Sequence, residues 1–309
     1  MSSVLVMGEA LVDLVFDPRT GAVDPVAVPG GSPANVAVTL GRLGIGVDLV
    51  AWLADDPYGK ALRAHLEASH VNLVPGCDQA PHTSTAQAHL DESGAATYTF
   101  EVDWNPPAPI PIPEGTRVAH TGSIGAVMRP GGEAVLDALT RARTAALTTY
   151  DPNIRPSLMG AAGEVRPVVE RLMGQADVVK ASDEDLEWLY PGANPLEAAR
   201  EFTQRFGVAL VVVTRGKDGA VAYTKAGISA KASSKKVEVV DTVGAGDTFM
   251  GGLIDALWRR DLVGPAGRGR ILGLSKQQLE EILREADALA EIVVQRRGAN
   301  PPWGKELGR

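Results

Sequence analysis

Residues 240–252 read Val-Asp-Thr-Val-Gly-Ala-Gly-Asp-Thr-Phe-Met-Gly-Gly, a run of small residues that lies between two apolar stretches. Residues 237–240, on its amino side, have the composition of a strand. Residues 249–258, on its carboxyl side, have apolar residues at helical spacing. The sequence therefore predicts a strand, a tight turn and the beginning of a helix.

The turn at Gly244, Ala245 and Gly246 has no bulky side chain, so its backbone can approach a ligand closely and direct successive N–H groups at one point. The first N–H groups of a helix have no acceptor within the helix, and the helix dipole adds positive charge there, which favours a bound anion. Asp247 would repel a bound phosphate unless it accepts a proton, so we interpret it as a general base that faces a substrate hydroxyl. The alternative is that Asp247 or Thr248 only caps the helix.

The composition limits the classes of protein to which the chain can belong. Its 309 residues are 45% hydrophobic and 22% charged, which is typical of a globular protein with a large core, and we expect one α/β body with an insertion. The net charge of -8 and the lack of a Lys/Arg cluster disfavour a nucleic-acid partner. A single cysteine, Cys77, excludes an internal disulfide and a cysteine-based zinc site. Without a signal sequence or an apolar run of about 20 residues, we expect a cytoplasmic protein that does not bind a membrane.

Residues 30–44 contain both the start signals and the stop signal of a helix. Ser32 is expected as the N-cap, Pro33 as the first helical residue and Gly44 as the residue just beyond the end. This is the second helix start at which small residues precede a polar side chain.

Polar residues near this helix start and near the first strand suit a sugar. Asn35, in the first helical turn, has an amide that can donate to and accept from a polyol, and Gly30 and Gly31 allow a close approach. Asp13 lies just beyond the predicted buried strand at 4–7, where open α/β sheets bind ligands. The alternatives are that Asn35 belongs to simple helix packing by small residues and that Asp13 is solvated on an edge strand.

Residues 82–100 alternate with period two about a turn at 91–94, which predicts a β-hairpin inside an otherwise α/β chain. Such a hairpin is a candidate lid over a substrate. Phe100 and Trp104 either contact the substrate or pack the lid on itself. The predicted lid comprises residues of about 11–29 and 84–107.

The rest of the chain alternates between strands and helices, which predicts a mostly parallel sheet covered on both faces. The predicted strands are 4–7, 26–28, 47–53, 117–121, 145–150, 178–180, 208–214, 221–224 and 237–240. The predicted helices begin near Ser32, Pro57, Gly131, Gly163, Phe249 and Lys276.

Three more polar clusters lie at the ends of predicted strands, where a doubly wound sheet binds its ligands. Arg155, in a proline-rich turn at 150–156, can reach a phosphate with two hydrogen bonds. Residues 183–185 are three carboxylates at a helix start, which suits hydrated Mg2+ but also an ordinary first helical turn. Residues 214–219 suit the phosphates or ribose of a nucleotide, or form only a β-turn.

Residues 30–37 and 241–249 resemble the two signatures of the ribokinase-like (PfkB) carbohydrate kinases, and the chain looks most like the bacterial fructokinases among them. Further similarity lies at 8–13, 151–156 and 296–299 and covers nearly the whole chain. Two signatures in the right order are far more specific than either alone. The resemblance implies one kinase domain, residues 1–309, with a ribokinase-like doubly wound, mostly parallel α/β sheet flanked by helices and a small β-sheet lid.

The resemblance also implies an activity and a set of site residues. The reaction would be ATP-dependent phosphoryl transfer to a primary hydroxyl of a monosaccharide, fructose or a similar neutral sugar, with Asp247 as base and the backbone at Gly244, Ala245 and Gly246 as anion hole. The predicted substrate-binding residues are Asp13, Gly30, Gly31, Asn35, Phe100 and Arg155. The predicted nucleotide-binding residues are Lys180, Asp185, Thr214, Gly216, Gly219, Gly244 and Gly246.

The same resemblance implies two bound ions, and the lid strands themselves suggest an assembly. Mg2+ would accompany ATP, and Asp241 with the carbonyl of Val243 matches the position at which many relatives hold a monovalent cation such as K+. Lid strands with apolar faces often pair between subunits, so we expect a homodimer through the lid.

The sequence departs from the family at two places. The common Asn-x-x-Glu near the metal and phosphates is here Ser182 and Asp185, one methylene shorter, and the lid sequence at 101–104 is unusual, which leaves the sugar open. The rivals are a kinase for 2-keto-3-deoxygluconate or another sugar acid, a nucleoside kinase, and a non-catalytic sugar or nucleotide sensor. A sugar-acid kinase is disfavoured because residues 97–104 contain no Arg or Lys. A nucleoside kinase is disfavoured by the 5% aromatic content, and a non-catalytic sensor by the presence of Asp247.

Overall fold

The computed structural model describes residues 3–20, 24–91 and 96–309. The strands are β1 (Ser3–Met7), β2 (Leu11–Phe16), β3 (Val26–Gly30), β4 (Val47–Val50), β5 (Val71–Leu73), β6 (Thr85–Leu90), β7 (Ala96–Glu101), β8 (Thr116–Gly122), β9 (Leu147–Asp151), β10 (Val178–Ser182), β11 (Leu210–Thr214), β12 (Ala220–Thr224) and β13 (Ser229–Ala232). The α-helices are α1 (Ser32–Arg42), α2 (Pro57–Ala68), α3 (Ser123–Val127), α4 (Gly131–Ala142), α5 (Pro156–Met159), α6 (Ala162–Gln175), α7 (Asp183–Leu189), α8 (Pro195–Arg205), α9 (Ala245–Arg259), α10 (Gly267–Ile271) and α11 (Lys276–Val293). Short 3-10 helices span Pro18–Thr20, Gly216–Asp218 and Gly304–Leu307.

The larger sheet has the strand order β13-β12-β11-β10-β9-β8-β1-β4-β5. Its strands are parallel except at β12 and β13, which pair antiparallel. Because the chain leaves β1 toward β4 on one side and reaches β8 on the other, the order reverses at β1, and ligands of such sheets bind outside the carboxyl ends of the strands at that point. The predicted fold class is confirmed.

Helices cover both faces of this sheet, which explains the continuous apolar run in β1. Val4 and Val6 pack into a core shared with α1, α9 and α11, whereas Leu5 and Met7 pack into a second core shared with α4, α6 and α8. A strand that is buried on both faces needs apolar residues at every position, not at alternate ones.

The smaller sheet has the order β3-β2-β6-β7, so β2 is an interior strand. The alternative that placed Asp13 on an edge strand is therefore wrong. The predicted hairpin between β6 and β7 is present, but most of its turn, residues 92–95, lies outside the described residues. The division into one domain with a lid at 11–29 and 84–107 stays a prediction.

Trp104 follows β7 but is buried in the body of the protein. It is 3% exposed, it packs with Ile110 and Val135, and its indole Nε1 donates to the carbonyl of Gly125 at 2.8 Å. It takes neither of the two roles predicted for it, because a buried indole satisfies its N–H with the nearest backbone acceptor.

Residues 237–240 do not form the predicted strand. Val239 and Val240 are more than half exposed, and the backbone N–H groups of Val240 and Asp241 both donate to the carbonyl of Val294 just after α11. This segment is a loop along the end of a helix, so its apolar composition does not reflect burial in the sheet. Among the described residues, no helix combines the length and the apolar composition that a membrane span requires.

Candidate active site

The predicted turn opens α9 as expected. Gly244 is the N-cap residue in the left-handed region, with φ 75°, where glycine has no steric penalty. Across residues 3–20, 24–91 and 96–309, the N–H groups of Gly246 and Asp247 have no protein acceptor. The N–H of Ala245 instead donates to the carbonyl of Thr242 at 3.2 Å, so its predicted place among the free donors is not observed. The N–H of Gly244 also has no acceptor within the described part of the chain, so three free amides remain at the start of α9 for an anion.

The Asp247 side chain does not cap its own helix. It is 6% exposed, and its two carboxylate oxygens accept hydrogen bonds from Ser32 Oγ at 2.7 Å and from Asn35 Nδ2 at 2.8 Å. The amide of Asn153 lies 3.4 Å from Oδ1. Because a carboxylate has about four acceptor positions, the carboxylate still has room for a substrate hydroxyl. The capping alternative is therefore wrong.

Ser32 reaches Asp247 because α1 begins one residue earlier than predicted. Gly31 is the N-cap, with φ 101°, and a Cβ there would lie 2.5 Å from the carbonyl oxygen of Glu9. Ser32 is the first helical residue and its hydroxyl donates to Asp247 rather than accepting from its own helix. Glycine at 31 is required by the close approach, which then aims Ser32 at Asp247.

Small residues also hold α1 and α9 close together. A Cβ at Gly251 would lie 2.6 Å from Cγ2 of Thr39, so the side chain of Thr39 on α1 packs where α9 has no side chain. This contact fixes the first turn of α1, which holds Asn35, against the first turn of α9.

On the sugar side, the structure brings Asp13 and Arg155 together from separate elements. Burial raises the pKa of Asp13 to about 6, and the Arg155 guanidinium opposes that rise. A Cβ at Gly30 would lie 2.4 Å from Oδ2 of Asp13, so only glycine leaves room for that carboxylate. Arg155 itself is exposed in the loop after β9.

Phe100 lies on the same face of the smaller sheet as Asp13. Asp13 is paired with Ala86, and Ala86 with Phe100, so the two side chains stand two strands apart, about 10 Å. Phe100 is half-buried and stacks with Tyr98, their ring centroids 6.1 Å apart. Phe100 thus belongs to the same surface as Asp13 without contacting it.

On the phosphate side, Lys180 is a buried cation at the start of α9. Its Nζ donates to Asp151 Oδ2 at 2.8 Å, and a Cβ at Gly246 would lie 3.1 Å from that Nζ. Burial opposes the charge of this ammonium, but the carboxylates of Asp151, Asp185 and Asp247 together raise the pKa of Lys180. Lys180 is therefore charged and sits beside the free amides.

Both carboxylate oxygens of Asp185 accept hydrogen bonds from backbone N–H groups. Its Oδ1 accepts from the N–H of Ile154 at 2.7 Å, and its Oδ2 accepts from the N–H of Ser182 at 2.8 Å in a capping box at the start of α7. The shorter acid therefore joins α7 to the loop after β9, the loop that carries Asn153 and Arg155.

The turn after β11 lies beside these residues because β10 and β11 are neighbours, with Ser182 opposite Thr214. Gly216 has φ 50° and open space around it. Gly219 has φ 82°, and a Cβ there would lie 2.1 Å from the carbonyl oxygen of Ala232, so this glycine is required by packing against β13.

The carboxylate of Asp241 stabilises the loop before α9 with two hydrogen bonds from backbone N–H groups. Its Oδ1 accepts from the N–H of Val243 at 3.0 Å and its Oδ2 from the N–H of Gly298 at 2.8 Å. The predicted cation residues are thus adjacent to the anion-binding turn.

The sequence predicted no role for four residues near Asp247: Ser32 as its partner, Asn153, Asp151 and Glu9. Asp151 and Asn153 belong, with Arg155, to the polar cluster at 150–156 that the sequence places after a strand, and Asn153 has φ 38°, a conformation that asparagine tolerates. Glu9 lies at the carboxyl end of β1, where the strand order reverses, and its Oε2 accepts from the N–H of Gly125 at 2.8 Å. Burial raises the pKa of Glu9 to about 7 against the hydrogen bonds from Ser123 and Gly125.

Comparison with known proteins agrees with this geometry. Residues 1–305 match the pfkB family carbohydrate kinases. The fructokinase of Rhizobium leguminosarum bv. trifolii is 35% identical over 262 residues, which cover 82% of this chain and 79% of that protein.

Two solved structures have the same fold over nearly their whole length. The Xylella fastidiosa fructokinase with bound ATP has a TM-score of 0.82 and 25% identity, and the match covers 99% of this chain and 97% of that one. A double mutant of the Vibrio cholerae fructokinase, in the form with bound fructose, ADP and potassium ion, has a TM-score of 0.78 and 28% identity over 97% of this chain and 94% of that one. The chain therefore belongs to the pfkB family of carbohydrate kinases, and it is an ATP-dependent sugar kinase.

Proposed function

We propose that the chain transfers the γ-phosphoryl group of ATP to a primary hydroxyl of fructose. The relative from Rhizobium and both solved structures are fructokinases. The observation that carries the reaction type is the Asp247 carboxylate, which Ser32 and Asn35 hold beside the free N–H groups at the start of α9.

In the proposed reaction, the sugar hydroxyl donates its proton to Asp247 as its oxygen bonds to the γ-phosphorus. The bond from that phosphorus to the β-phosphate oxygen breaks, and ADP leaves. The N–H groups of Gly246 and Asp247 and the ammonium of Lys180 offset the negative charge on the transferred group. Because Asp247 and Lys180 are buried, water would screen their charges less than it would at the surface.

The nucleotide would lie along the carboxyl ends of β10 and β11. Thr214 and the open backbone at Gly216 would line it, and Gly244 and Gly246 would allow the phosphates to approach α9. Gly219 and Asp185 would act by shaping the neighbouring turns, because their contacts are with protein backbone.

Mg2+ would bind mainly through the nucleotide phosphates. Among the described residues, no group of three or more His, Cys, Asp or Glu could hold a metal ion. One acceptor suits a water of hydrated Mg2+: Oδ1 of Asp151, which is buried and has no partner in the described part of the chain. When bound, Mg2+ supplies charge neutralisation at the phosphates.

A K+ ion would be held by Asp241 and the carbonyl of Val243. The two N–H groups that Asp241 accepts leave acceptor positions on both of its oxygens. Since Val243 immediately precedes Gly244, an ion there would also stabilise the anion-binding turn.

A neutral sugar suits the sugar side better than a sugar acid. The Arg155 charge acts on the Asp13 carboxylate, so a substrate carboxylate would meet that acid as well as the guanidinium. The carboxylate of Asp13 and the amide of Asn35 match the hydroxyl groups of a ketohexose. Phe100 would contact the apolar face of the sugar.

We also propose a cytoplasmic homodimer. Val26 and Tyr98 are each more than half exposed, and they lie in one row across the smaller sheet with Val15 and Ala88 between them. This row is on the face that carries Asp13 and Phe100 but two residues away along each strand, so two copies that pair along this row would cover Val26 and Tyr98 and leave Asp13 to the sugar. Its test is the mass of the protein in solution by light scattering, with Tyr98→Lys expected to be a monomer.

The experiment that tests the function is a coupled ADP-release assay over fructose, other ketohexoses, pentoses, sugar acids and nucleosides, each with and without K+. We expect the highest kcat/KM with fructose and a higher rate with K+. A higher kcat/KM for a sugar acid or a nucleoside would overturn the proposed substrate.

A further inference from the structure

The end of the chain, residues 298–309, here named the C-terminal strap, contacts the anion-binding turn directly. The N–H of Gly298 donates to Asp241 Oδ2 at 2.8 Å. A Cβ at Gly244 would lie 2.5 Å from Cβ of Ala299 and 2.9 Å from its Cα, so the strap packs against the glycine that opens α9. The position of the turn thus depends on where the strap lies.

Near its start, the strap is held by the side chain of Arg42, the last residue of α1. Its Nη1 donates to Asn300 Oδ1 at 2.6 Å and to the carbonyl of Pro301 at 2.8 Å, and its Cζ lies 5.2 Å from the ring of Trp303. Its Nε donates to Ser69 Oγ at 3.2 Å, which holds the guanidinium from the other side. A planar guanidinium can make all these contacts at once, whereas an ammonium cannot.

The far end of the strap is tied to α9. Nη1 of Arg309 lies 2.6 Å from Oδ2 of Asp255, which is 3% exposed in the middle of that helix. Glu306 of the strap also forms an ion pair at 2.5 Å with Arg296, which lies two residues before the strap begins. The strap therefore connects the last residue of α1 to the middle of α9 and to the loop before α9.

These contacts matter because each of the two helices carries half of the site at its other end. Ser32 and Asn35 lie in the first turn of α1, and Asp247 in the first turn of α9. A helix of the length of α1 is about 16 Å long, so Arg42 does not contact a substrate. An effect of Arg42 on the reaction would act through the strap or along α1, and the test below separates these two routes.

We propose that Arg42 is a positioning residue for nucleotide binding: it fixes the C-terminal strap, and the strap fixes the loop from Asp241 to Gly244. This inference rests on the proposed function only in taking that loop as the phosphate-binding side. The sugar side does not need the strap, because Ser32 and Asn35 are held by the direct contact between α1 and α9 at Thr39 and Gly251. Loss of Arg42 should therefore weaken nucleotide binding more than sugar binding.

The test compares Arg42→Ala with Arg205→Ala. Arg205 is a matched control because it also makes an ion pair, with Glu170 at 2.9 Å, and lies over a ring, that of Phe206 at 4.8 Å, but on α8, which carries none of the proposed site residues. We expect the Kd for ADP and the KM for ATP to rise about tenfold in Arg42→Ala with the sugar KM within about twofold, and neither to change in Arg205→Ala.

A second measurement keeps the test independent of catalysis. Amide hydrogen exchange of residues 243–246 should become faster in Arg42→Ala and stay unchanged in Arg205→Ala. Arg42→Lys keeps a cation over Trp303 but loses the planar fork, so we expect an intermediate Kd for ADP, and this variant replaces Arg42→Ala if the latter does not fold.

The outcomes separate this inference from the proposed function. An unchanged ADP Kd together with unchanged exchange at residues 243–246 in folded Arg42→Ala would overturn the inference, as would an equal rise of both KM values. If the wild-type protein phosphorylates no sugar while Arg42→Ala still weakens ADP binding, the proposed function fails and the role of Arg42 is supported.

Discussion

The phosphate side and the sugar side of the proposed site consist of different chemical groups. On the phosphate side, the ligand-facing groups are backbone N–H groups at a helix start and a buried ammonium, Lys180, which is 3% exposed. On the proposed sugar side they are Asn35 in the first turn of α1 and side chains on a four-stranded sheet and on exposed loops, such as Phe100 and Arg155. Backbone donors do not change when a side chain is substituted, whereas side chains on a sheet face can change singly. In the proposed site, phosphoryl transfer would therefore stay constant while the small sheet would determine which sugar is accepted.

The largest effect is expected at Asp247, where the two sides meet. In Asp247→Asn the side chain accepts no proton, so kcat for the preferred sugar should fall by about 10²- to 10⁴-fold. ADP binding should remain, because the N–H groups at the start of α9 are unchanged. The control is Asp137→Asn, an exposed residue of α4 paired with Arg141. A kcat near that of the wild type in the folded variant would remove Asp247 from the role of base.

The next largest effect is expected at Lys180, and it tests whether the phosphate side contains a buried charge cluster. Lys180→Ala leaves the Asp151 carboxylate buried without its cation, so the free energy of unfolding should fall by about 3–5 kcal/mol. The measurement is urea unfolding followed by circular dichroism. Arg205→Ala breaks an exposed pair with Glu170 and should cost less than about 1 kcal/mol. If both variants lose the same small amount, the Lys180 pair is not the buried cluster described above.

The smallest effect isolates the sugar side by pH. Because the pKa of Asp13 is raised to about 6, its carboxylate protonates and loses acceptor capacity as the pH falls through 6. The KM for the sugar should then rise about tenfold between pH 7.5 and 5, and Asp13→Asn should abolish that rise. The KM for ATP does not serve as the control, because burial also raises the pKa of Asp151, on the phosphate side, to about 6. Sugar KM values that are equally pH-dependent in Asp13→Asn would assign the titration to another group.

Ionisation of Asp13 has opposite effects on folding and on sugar binding: it lowers the stability of the fold and favours binding of the sugar. The folded chain holds the Asp13 proton more tightly than the unfolded chain does, since the pKa is raised from 3.8 to about 6. The stability that Asp13 contributes is thus fully present below about pH 3.8 and is lost as the pH rises through 6. Thermal unfolding of Asp13→Asn should lack this loss.

Local sequence patterns predicted the structural features that are determined by residues close together in the chain. The glycine turn before α9, the proline and glycine at the two ends of α1, and the apolar run of β1 all act through backbone conformation or burial within a few residues. The same reasoning failed at residues 237–240, because an apolar composition does not distinguish a buried strand from a loop along α11. It also failed for Trp104, whose partner Gly125 lies 21 residues away.

The sequence by itself determined that a helix with free N–H groups begins at the small-residue turn and carries an acid in its first turn, because those properties belong to the local chain. Only the tertiary structure decided what that acid does. Ser32 is 215 residues from Asp247 and Asn35 is 212, and their hydrogen bonds exist because α1 and α9 pack closely where Thr39 meets Gly251. The same holds for Lys180 beside Gly246 and for Arg42 on the C-terminal strap. Contacts of this kind form when helices and strands that are distant in sequence pack together. A local sequence pattern does not specify that packing.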